Sequence, residues 1–437
     1  MEIEMKGYKL LIPFALAALF GISVYMAMNA NVEEQQKYMQ YLEAARSYRS
    51  QGILVDAEKN YKMALGENPS FALYMEIGEF YQESVQNELV REWADVMLKE
   101  FPKQAGAYEF ALNHYTAQCD YAMCFRIYDT FGKRGLASEA VDNLMKEIKY
   151  TFFFRDQYED VGVFSGGLCA VRSNGLWGYV GEDGSKIITQ KYSAAGPFFG
   201  EVAPVTDQEG GMYYIDTAGN KKLSVDGIAN LSALGPFYNE LLSACSDGVW
   251  NFYDREGNLL FGGYEDCSAM GNGYGAVNRD GKWGLIDGAG KEVIPLTHEG
   301  IVMDEKGVAC RNDRVFLVDG YGYYLADCQG NLISQTRYDD ARLFYDGTYA
   351  AVKSGDKWGF IDKDGNTVLE PAYEDARSFS GGMAAVRYGG KWGLIDSGFE
   401  MAVAPQFDEV RDVNGLGCVF VREGEHWMLL KFYRNNH

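Results

Sequence analysis

Positive charge is scarce in this 437-residue chain: 40 Lys and Arg stand against 62 Asp and Glu, for a formal net charge of −22. A nucleic-acid backbone is held by a Lys/Arg-rich face, so nucleic acid is set aside as a partner class. The same deficit argues against the folded part lying on an anionic lipid surface. Proteins, glycans or cations remain. Histidine is scarcer still, with His114, His298, His426 and His437 forming the whole set. They are scattered, no GxSxG elbow accompanies them, and a Ser-His-Asp triad therefore has no support. HExxH and a phosphate-binding glycine loop between strand and helix are also missing. Proline is low at 9 against 51 glycines, which points to many tight turns between short elements. No pair among Cys119, Cys124, Cys169, Cys245, Cys267, Cys310, Cys328 and Cys418 has CxxC spacing. These cysteines read as small core residues, since most replace an alanine in a repeat, with an occasional disulfide or reactive thiol as the alternative. The expectation is no catalytic residue, no cofactor and no metal site, with the binding residues unassigned.

What is present is enough to fold. Hydrophobic residues make up 47% of the chain and aromatics 14%, which excludes wholesale disorder. Leu10 to Met28 (LLIPFALAALFGISVYMAM) runs without a charge. As a helix it would be about 28 Å long, close to the thickness of a hydrocarbon core. A cleaved signal peptide is the competing reading, but Met28-Asn29-Ala30 lacks a small residue at −3. We expect a tail over 1–9 and an uncleaved single-pass transmembrane helix over 10–28. Lys6 and Lys9 precede the span while Glu33 and Glu34 follow it, which places the bulk of the chain outside the cytoplasm. Lys37, Arg46 and Arg49 and the unpaired cysteines pull the other way.

From 32 to 154 the period is helical. Tyr41, Ala45, Tyr48, Ala57, Tyr61 and Ala64 fall at spacings of three and four on either side of Gly52, and Pro69 ends the run. Tyr74, Gly78, Tyr81, Ala94 and Pro102 repeat the pattern. Tyr108, Leu112, Tyr115, Cys124 and Tyr128 repeat it more loosely, with Cys124 in the alanine slot and Cys119 in the inter-helix glycine slot. A last helix over about Ala137 to Tyr150 caps the array. The pattern resembles the tetratricopeptide repeat, which implies stacked helix pairs with a concave groove for a peptide or helix. A plain helical spacer is the alternative.

From 157 to 437 the period changes. RYDDARLFYDGTYAAVKSGDKWGFIDKDGNTVLEP (337–371) is followed by AYEDARSFSGGMAAVRYGGKWGLIDSGFEMAVAP (372–405), and QYEDVGVFSGGLCAVRSNGLWGYVGEDGSKIITQK (157–191) is a further copy. Taking Tyr158, Tyr192, Ile228, Tyr264, His298, Tyr338, Tyr373 and Phe407 as markers, the steps are 34, 36, 36, 34, 40, 35 and 34. That makes seven units and a truncated eighth. Trp177, Trp250, Trp283, Trp358, Trp392 and Trp427 share one slot, with Tyr213 and Tyr323 in it elsewhere. Each unit shows three readable strands joined by polar turns, and two of those strands are apolar on both faces, so each unit must be covered on both sides. Radial blades satisfy this. We expect a multidomain α-then-β chain whose β domain is propeller-like with seven to eight units. The alternative is an open β-hairpin solenoid or curved sheet, since 35 residues is short for a four-stranded blade of roughly 40–45.

The Trp-Gly pairs at 177–178, 283–284, 358–359 and 392–393 are similar to those of the bacterial WG-repeat family. That resemblance implies a β-repeat interaction module and no particular chemistry. Units two, three and five depart from it, carrying Tyr213-Tyr214, Trp250-Asn251 and Tyr323-Tyr324. The recognisable carboxylates Asp216, Asp254, Asp287, Asp327 and Asp362 fall in turn slots, and the Trp register favours packing over sugar stacking. Tyr321 and Tyr324, in an irregular stretch, are the better contact candidates. The reading is a membrane-anchored non-enzymatic scaffold or adaptor for protein partners. A glycan- or cell-wall-binding surface protein is the alternative, and a hydrolase on a propeller scaffold the third.

Overall fold

In a computed structural model of the chain, residue 20, residues 32–84 and residues 86–433 are described. The expected membrane helix at 10–28 falls outside these apart from Phe20, and no described helix is long and apolar enough to cross a membrane. The chain divides into two compact units at Lys149/Tyr150.

Over the described residues from 32 onward the first unit holds seven helices: α1 (residues 32–50), α2 (Leu54–Glu67), α3 (Phe71–Glu83), α4 (Asn87–Glu100), α5 (Ala105–Ala117), α6 (Tyr121–Lys133) and α7 (Glu139–Ile148). Their starts are written locally. The side chains of Ser70, Asp120 and Ser138 accept bonds from the amides of Leu73, Met123 and Val141, satisfying donors that the helix itself cannot. Ala57, Tyr61, Ala64, Ala94 and Cys124 are wholly buried in one core, as the three-and-four spacing requires. From α2 onward consecutive helices pack on one another, and so do α3 with α5 and α5 with α7. Cys119 takes a left-handed φ of 56° between α5 and α6, a geometry uncommon for cysteine. Charge links alternate helices: Arg46 on α1 makes a two-pronged bond to Glu76 on α3, at 2.8 and 2.7 Å.

The second unit is an eight-bladed β-propeller. Blade one pairs Asp160–Val161, Leu168–Ser173, Leu176–Gly181 and Lys186–Tyr192 in sequence order. Blades two, three, four, six and seven repeat the arrangement over 194–224, 231–264, 266–298, 340–373 and 375–407. Blade five has three strands, Gly300–Ile301, Val315–Asp319 and Gly322–Ala326. Four strands fit within about 35 residues because the first is only two residues long in every four-stranded blade but the third. That element was too short to read from the sequence.

The truncated eighth unit is completed from the other end of the domain. Its strands Glu409–Val410, Cys418–Glu423 and His426–Phe432 are joined by Phe152–Tyr158, which pairs with the last strand at Phe152–Phe432 and Tyr158–Trp427. The ring is closed, and the open-solenoid alternative falls. Closure covers the edges that a stack of hairpins would leave bare. Asn414 of blade eight adds a bond to the Glu182 carbonyl of blade one, 2.8 Å.

Close approach of the outer strand explains the Trp-Gly pair. In the blades that carry Trp-Gly, the marker residue pairs directly with the tryptophan: Tyr192 with Trp177, His298 with Trp283, Tyr373 with Trp358, Phe407 with Trp392. Immediately after the tryptophan the register shifts, and the outer strand crowds the next residue. A Cβ on Gly393 would lie 2.8 Å from the Pro405 nitrogen and 3.0 Å from the Ala404 carbonyl carbon, and nearer still to the Val403 oxygen. Gly178, Gly284 and Gly359 meet their outer strands in the same way. Glycine there is a steric requirement.

The units lacking Trp-Gly are those with irregular outer or inner strands. In blade three Asn251 replaces glycine, and its partner strand supplies Gly262 and Gly263 instead, with Asn251 Oδ1 accepting from the Gly263 amide at 2.9 Å. Blade three also has a long first strand, Leu231–Tyr238. In blade two the outer strand shrinks to Lys221–Ser224. In blade five it is replaced by two isolated bridges, Tyr323 to Tyr338 and Ala326 to Leu332.

Candidate functional site

The short inner strands aim the residues that follow them at the propeller axis. In blades six and seven Asp340 and Asp375 each accept the next residue's amide at 2.8 Å, which fixes the strand's start. Two positions on, Arg342 and Arg377 donate their backbone N–H to Ala351 and Ala385 at 2.9 and 2.8 Å, and Arg411 of blade eight donates to Phe420 at 2.8 Å. These three arginines occupy one repeat slot, four residues after the markers Tyr338, Tyr373 and Phe407. The slot holds Gly162, Gly196 and Ser268 in blades one, two and four.

Blade five sends a plug across them. Thirteen residues (302–314) join its first two strands, where six (377–382) suffice in blade seven. Glu305 from this insert binds Arg377 at 2.6 Å and Arg411 at 3.1 Å, and Arg377 also holds Asp412 at 2.7 Å. Asp304 pairs with Arg311, and Arg342 with Asp375 at 2.8 Å. Two cavities meet at Glu305. One of about 280 Å³ is lined by Asp304, Glu305, Arg342, Tyr345, Arg377 and Asp412. The other, about 320 Å³, is lined by Gly162, Ala170, Ala195, Pro197, Glu305 and Arg411.

Charge balance at the axis depends on these pairs. Burial disfavours the Arg377 guanidinium, yet Asp412 and Glu305 outweigh it and hold its pKa above the ordinary arginine value. Burial pulls the Lys306 ammonium below its usual range and pushes the Tyr345 phenol up. Lys306 and Arg311 both stand over the Tyr345 ring, at 4.6 and 5.2 Å. Arg342 and Arg411 lie over Trp358 and Trp427 at 5.0 and 4.7 Å, and their Nε atoms are buried without a hydrogen-bond partner. The two rings therefore serve as platforms for cations as well as core. Trp358, Trp392 and Trp427 are buried, at 5, 8 and 4% exposure, while Trp177, Trp250 and Trp283 are partly covered.

The described histidines do not converge: His114 is on α5, His298 on blade four and His426 on blade eight. No group of three or more His, Cys, Asp or Glu among the described residues is placed to hold a metal. Asp216, Asp254, Asp287, Asp327 and Asp362 sit in hairpin turns; Asp362 Oδ1 accepts from Asp364 and Asn366 at 2.9 Å each. The Asn220 amide is the chief cause holding the Asp216 carboxyl below the usual carboxylate range. Of the contact candidates, Tyr321 is 87% exposed at a turn tip, whereas Tyr324 is half-buried. Arg337 covers the Tyr324 ring at 4.2 Å, and its hydroxyl is 3.4 Å from His298 Nδ1. The axial arginines were missed, although Asp-Ala-Arg, Asp-Ala-Arg and Glu-Val-Arg recur in register in the last three units. The plug was marked too, by the single long step of 40 residues from His298 to Tyr338.

No curated protein matches this chain. Among solved structures it is similar to PorZ of Porphyromonas gingivalis, titled an essential bacterial surface component of the type-IX secretion system. That match has a TM-score of 0.34 and 15% identity and covers 62% of this chain and 42% of PorZ, less than half its length. It is also similar to a eukaryotic initiation factor, with TM-score 0.40, 12% identity, and 65% and 86% coverage of the two chains. Hsv2p of Kluyveromyces lactis matches with TM-score 0.36 and 13% identity over 56% and 92%. The family described as "WG containing repeat" matches residues 157–177, 177–210, 325–358, 358–392 and 392–427, leaving out most of blades two to five, where Trp-Gly is largely lost. The chain thus carries WG containing repeats in five places.

Proposed function

We propose that this chain is a membrane-anchored, non-enzymatic scaffold whose two repeat arrays each present a surface to a protein partner. One observation carries the reading. The carboxylates that gather at the propeller axis are engaged by arginines: Glu305 with Arg377 and Arg411, Asp412 with Arg377, Asp304 with Arg311, Asp375 with Arg342. A glycosidase or similar hydrolase needs an acid and a base poised at different protonation states and facing a substrate. Paired, bridged carboxylates serve packing and charge balance instead.

Small residues at the packing positions of the first unit's helices support a tetratricopeptide-like role, since stacked helix pairs of that kind offer a groove to an extended segment. The uncharged run 10–28 is the proposed anchor, and the Lys6/Lys9 against Glu33/Glu34 asymmetry sets the bulk of the chain outside the cytoplasm. To test the reading, the full chain is photo-crosslinked in its native membrane, the captured protein is purified, and its binding to the full chain is titrated. Saturable binding at micromolar affinity or better supports the scaffold. Saturable binding to a defined oligosaccharide on a glycan array, with no protein partner at that affinity, overturns it in favour of the glycan-binding alternative.

A further inference from the structure

The plug is tied down at its base by a covalent bond. Cys310, near the end of the insert, is disulfide-bonded to Cys328, with Cα atoms 6.1 Å apart. Both residues are sealed from solvent, at 1 and 0% exposure. Cys328 lies in a rigid turn, where Asp327 Oδ1 accepts from the Gln329 and Asn331 amides at 3.0 and 2.8 Å. One end of the bridge is therefore fixed to the body of blade five, and the other holds the insert.

Beyond that bond, Ala309 at the base of the insert is buried in the core shared by blades four and five, with Met303 packed on it, while the tip over 304–308 keeps its place through polar contacts and a small apolar one. Asp304 Oδ1 accepts from the amides of Lys306 and Val308 at 2.9 Å, which folds the loop on itself. The Gly307 carbonyl accepts from the Ala269 amide of blade four at 2.7 Å. Val308 packs with Ala269 and with Phe199 of blade two, a three-residue cluster. Glu305 reaches blades seven and eight through Arg377 and Arg411, and Lys306 stands over Tyr345 of blade six. Ion pairs that are partly exposed contribute little each, and the cluster is small. A tip held this way opens more readily once the base beside it is no longer cross-linked.

We propose that residues 302–314 are a redox-latched plug: the Cys310–Cys328 disulfide holds the insert across the axis, and a dithiol reductant releases it. In that step local opening of the insert exposes the otherwise sealed bond, and a reductant thiolate attacks one sulfur, forming a mixed disulfide and freeing the other cysteine as a thiolate. The reductant's second thiol then closes its own disulfide and frees the second cysteine. Cys310 and Cys328 gain two electrons and two protons, which the reductant loses. Once Glu305 withdraws, the cavities of about 280 and 320 Å³ join, and Arg411 loses its bridge across the axis. The latch forms in an oxidising compartment, and arrival of a reductant is the signal it answers.

The test is hydrogen–deuterium exchange on the full chain, oxidised and after dithiothreitol, with Cys328→Ser as the permanently open form. Alkylation and mass measurement score the two thiols. Amides of 303–310 are expected to exchange at least about tenfold faster on reduction, below the roughly hundredfold ceiling set by losing a cross-link over so short a loop. Blade-seven amides over Met383–Asp396 are expected to keep their rate, and Cys328→Ser to match the reduced protein. Unchanged exchange in the insert overturns the proposal. So does a uniform loosening of all blades, which makes the bond a general brace, and so does finding both cysteines as free thiols in protein matured under oxidising conditions.

Discussion

Replacing Gly393 by alanine tests the steric account of the Trp-Gly pair, because its sign runs against the ordinary rule. At a strand position with no unusual φ, Gly→Ala stabilises by about 0.4–1 kcal/mol, since the unfolded chain loses freedom. At Gly393 the new Cβ would lie 2.8 Å from the Pro405 nitrogen and 3.0 Å from the Ala404 carbonyl carbon. Carbon atoms in contact prefer about 3.5 Å or more, so the outer strand must retreat by roughly half an ångström or lose its register. Both atoms belong to backbone, which cannot swing aside as a side-chain tip can. Overpacking of this kind costs about 1–3 kcal/mol. Retreat also loosens the Trp392–Phe407 pair beside it. We take a net loss of about 2 kcal/mol, a fall of roughly 3 °C in Tm for a domain of this size. Gly415→Ala is the control, as a Cβ there meets nothing within 4 Å. Thermal unfolding followed by tryptophan fluorescence reads both variants in the full chain. If Gly393→Ala melts with or above the wild type, as Gly415→Ala is expected to, the close-approach explanation is refuted.

Three further outcomes are expected. Asp412→Ala should destabilise more than Glu305→Ala, by about 2–4 against about 1–2 kcal/mol in denaturant titrations, because Asp412 and Arg377 are 13 and 10% exposed and Glu305 is 26% exposed. Equal losses would mean that burial does not govern the axial pairs. Deleting Phe152–Tyr158 removes the outer strand of blade eight and bares the edge at His426–Phe432; the propeller should then aggregate or melt early by light scattering, and a monodisperse product of unchanged Tm would contradict ring closure. Thiol labelling at pH 8 should modify exposed Cys119 first. Cys267 and Cys418 should resist in mass spectra, since burial pushes their thiols up to about 12 and about 11, far above the labelling pH, so the reactive thiolate is scarce in the folded state.

Repetition was the most legible feature of this chain, for a physical reason. Ala57, Ala64 and Ala94 at helical spacing, and an aromatic slot recurring every 33 to 40 residues through the β domain, filled by tryptophan in six units and by Tyr213 and Tyr323 in the other two, are local patterns, and each copy must solve the same packing problem as its neighbours. The sequence alone therefore determined the two kinds of array, the helix breaks, the turn carboxylates and the packing role of the tryptophans. The two-residue inner strands were too short to carry a period, which is why four strands seemed not to fit. Ring closure was beyond any local pattern, because Tyr158 meets Trp427 only when the far ends of the domain come together. The axial site was hidden for the same cause. Glu305, Arg377 and Arg411 lie in three different blades, Cys310 and Cys328 in separate turns of the fifth, and only the closed ring and the folded insert bring their side chains within bonding reach.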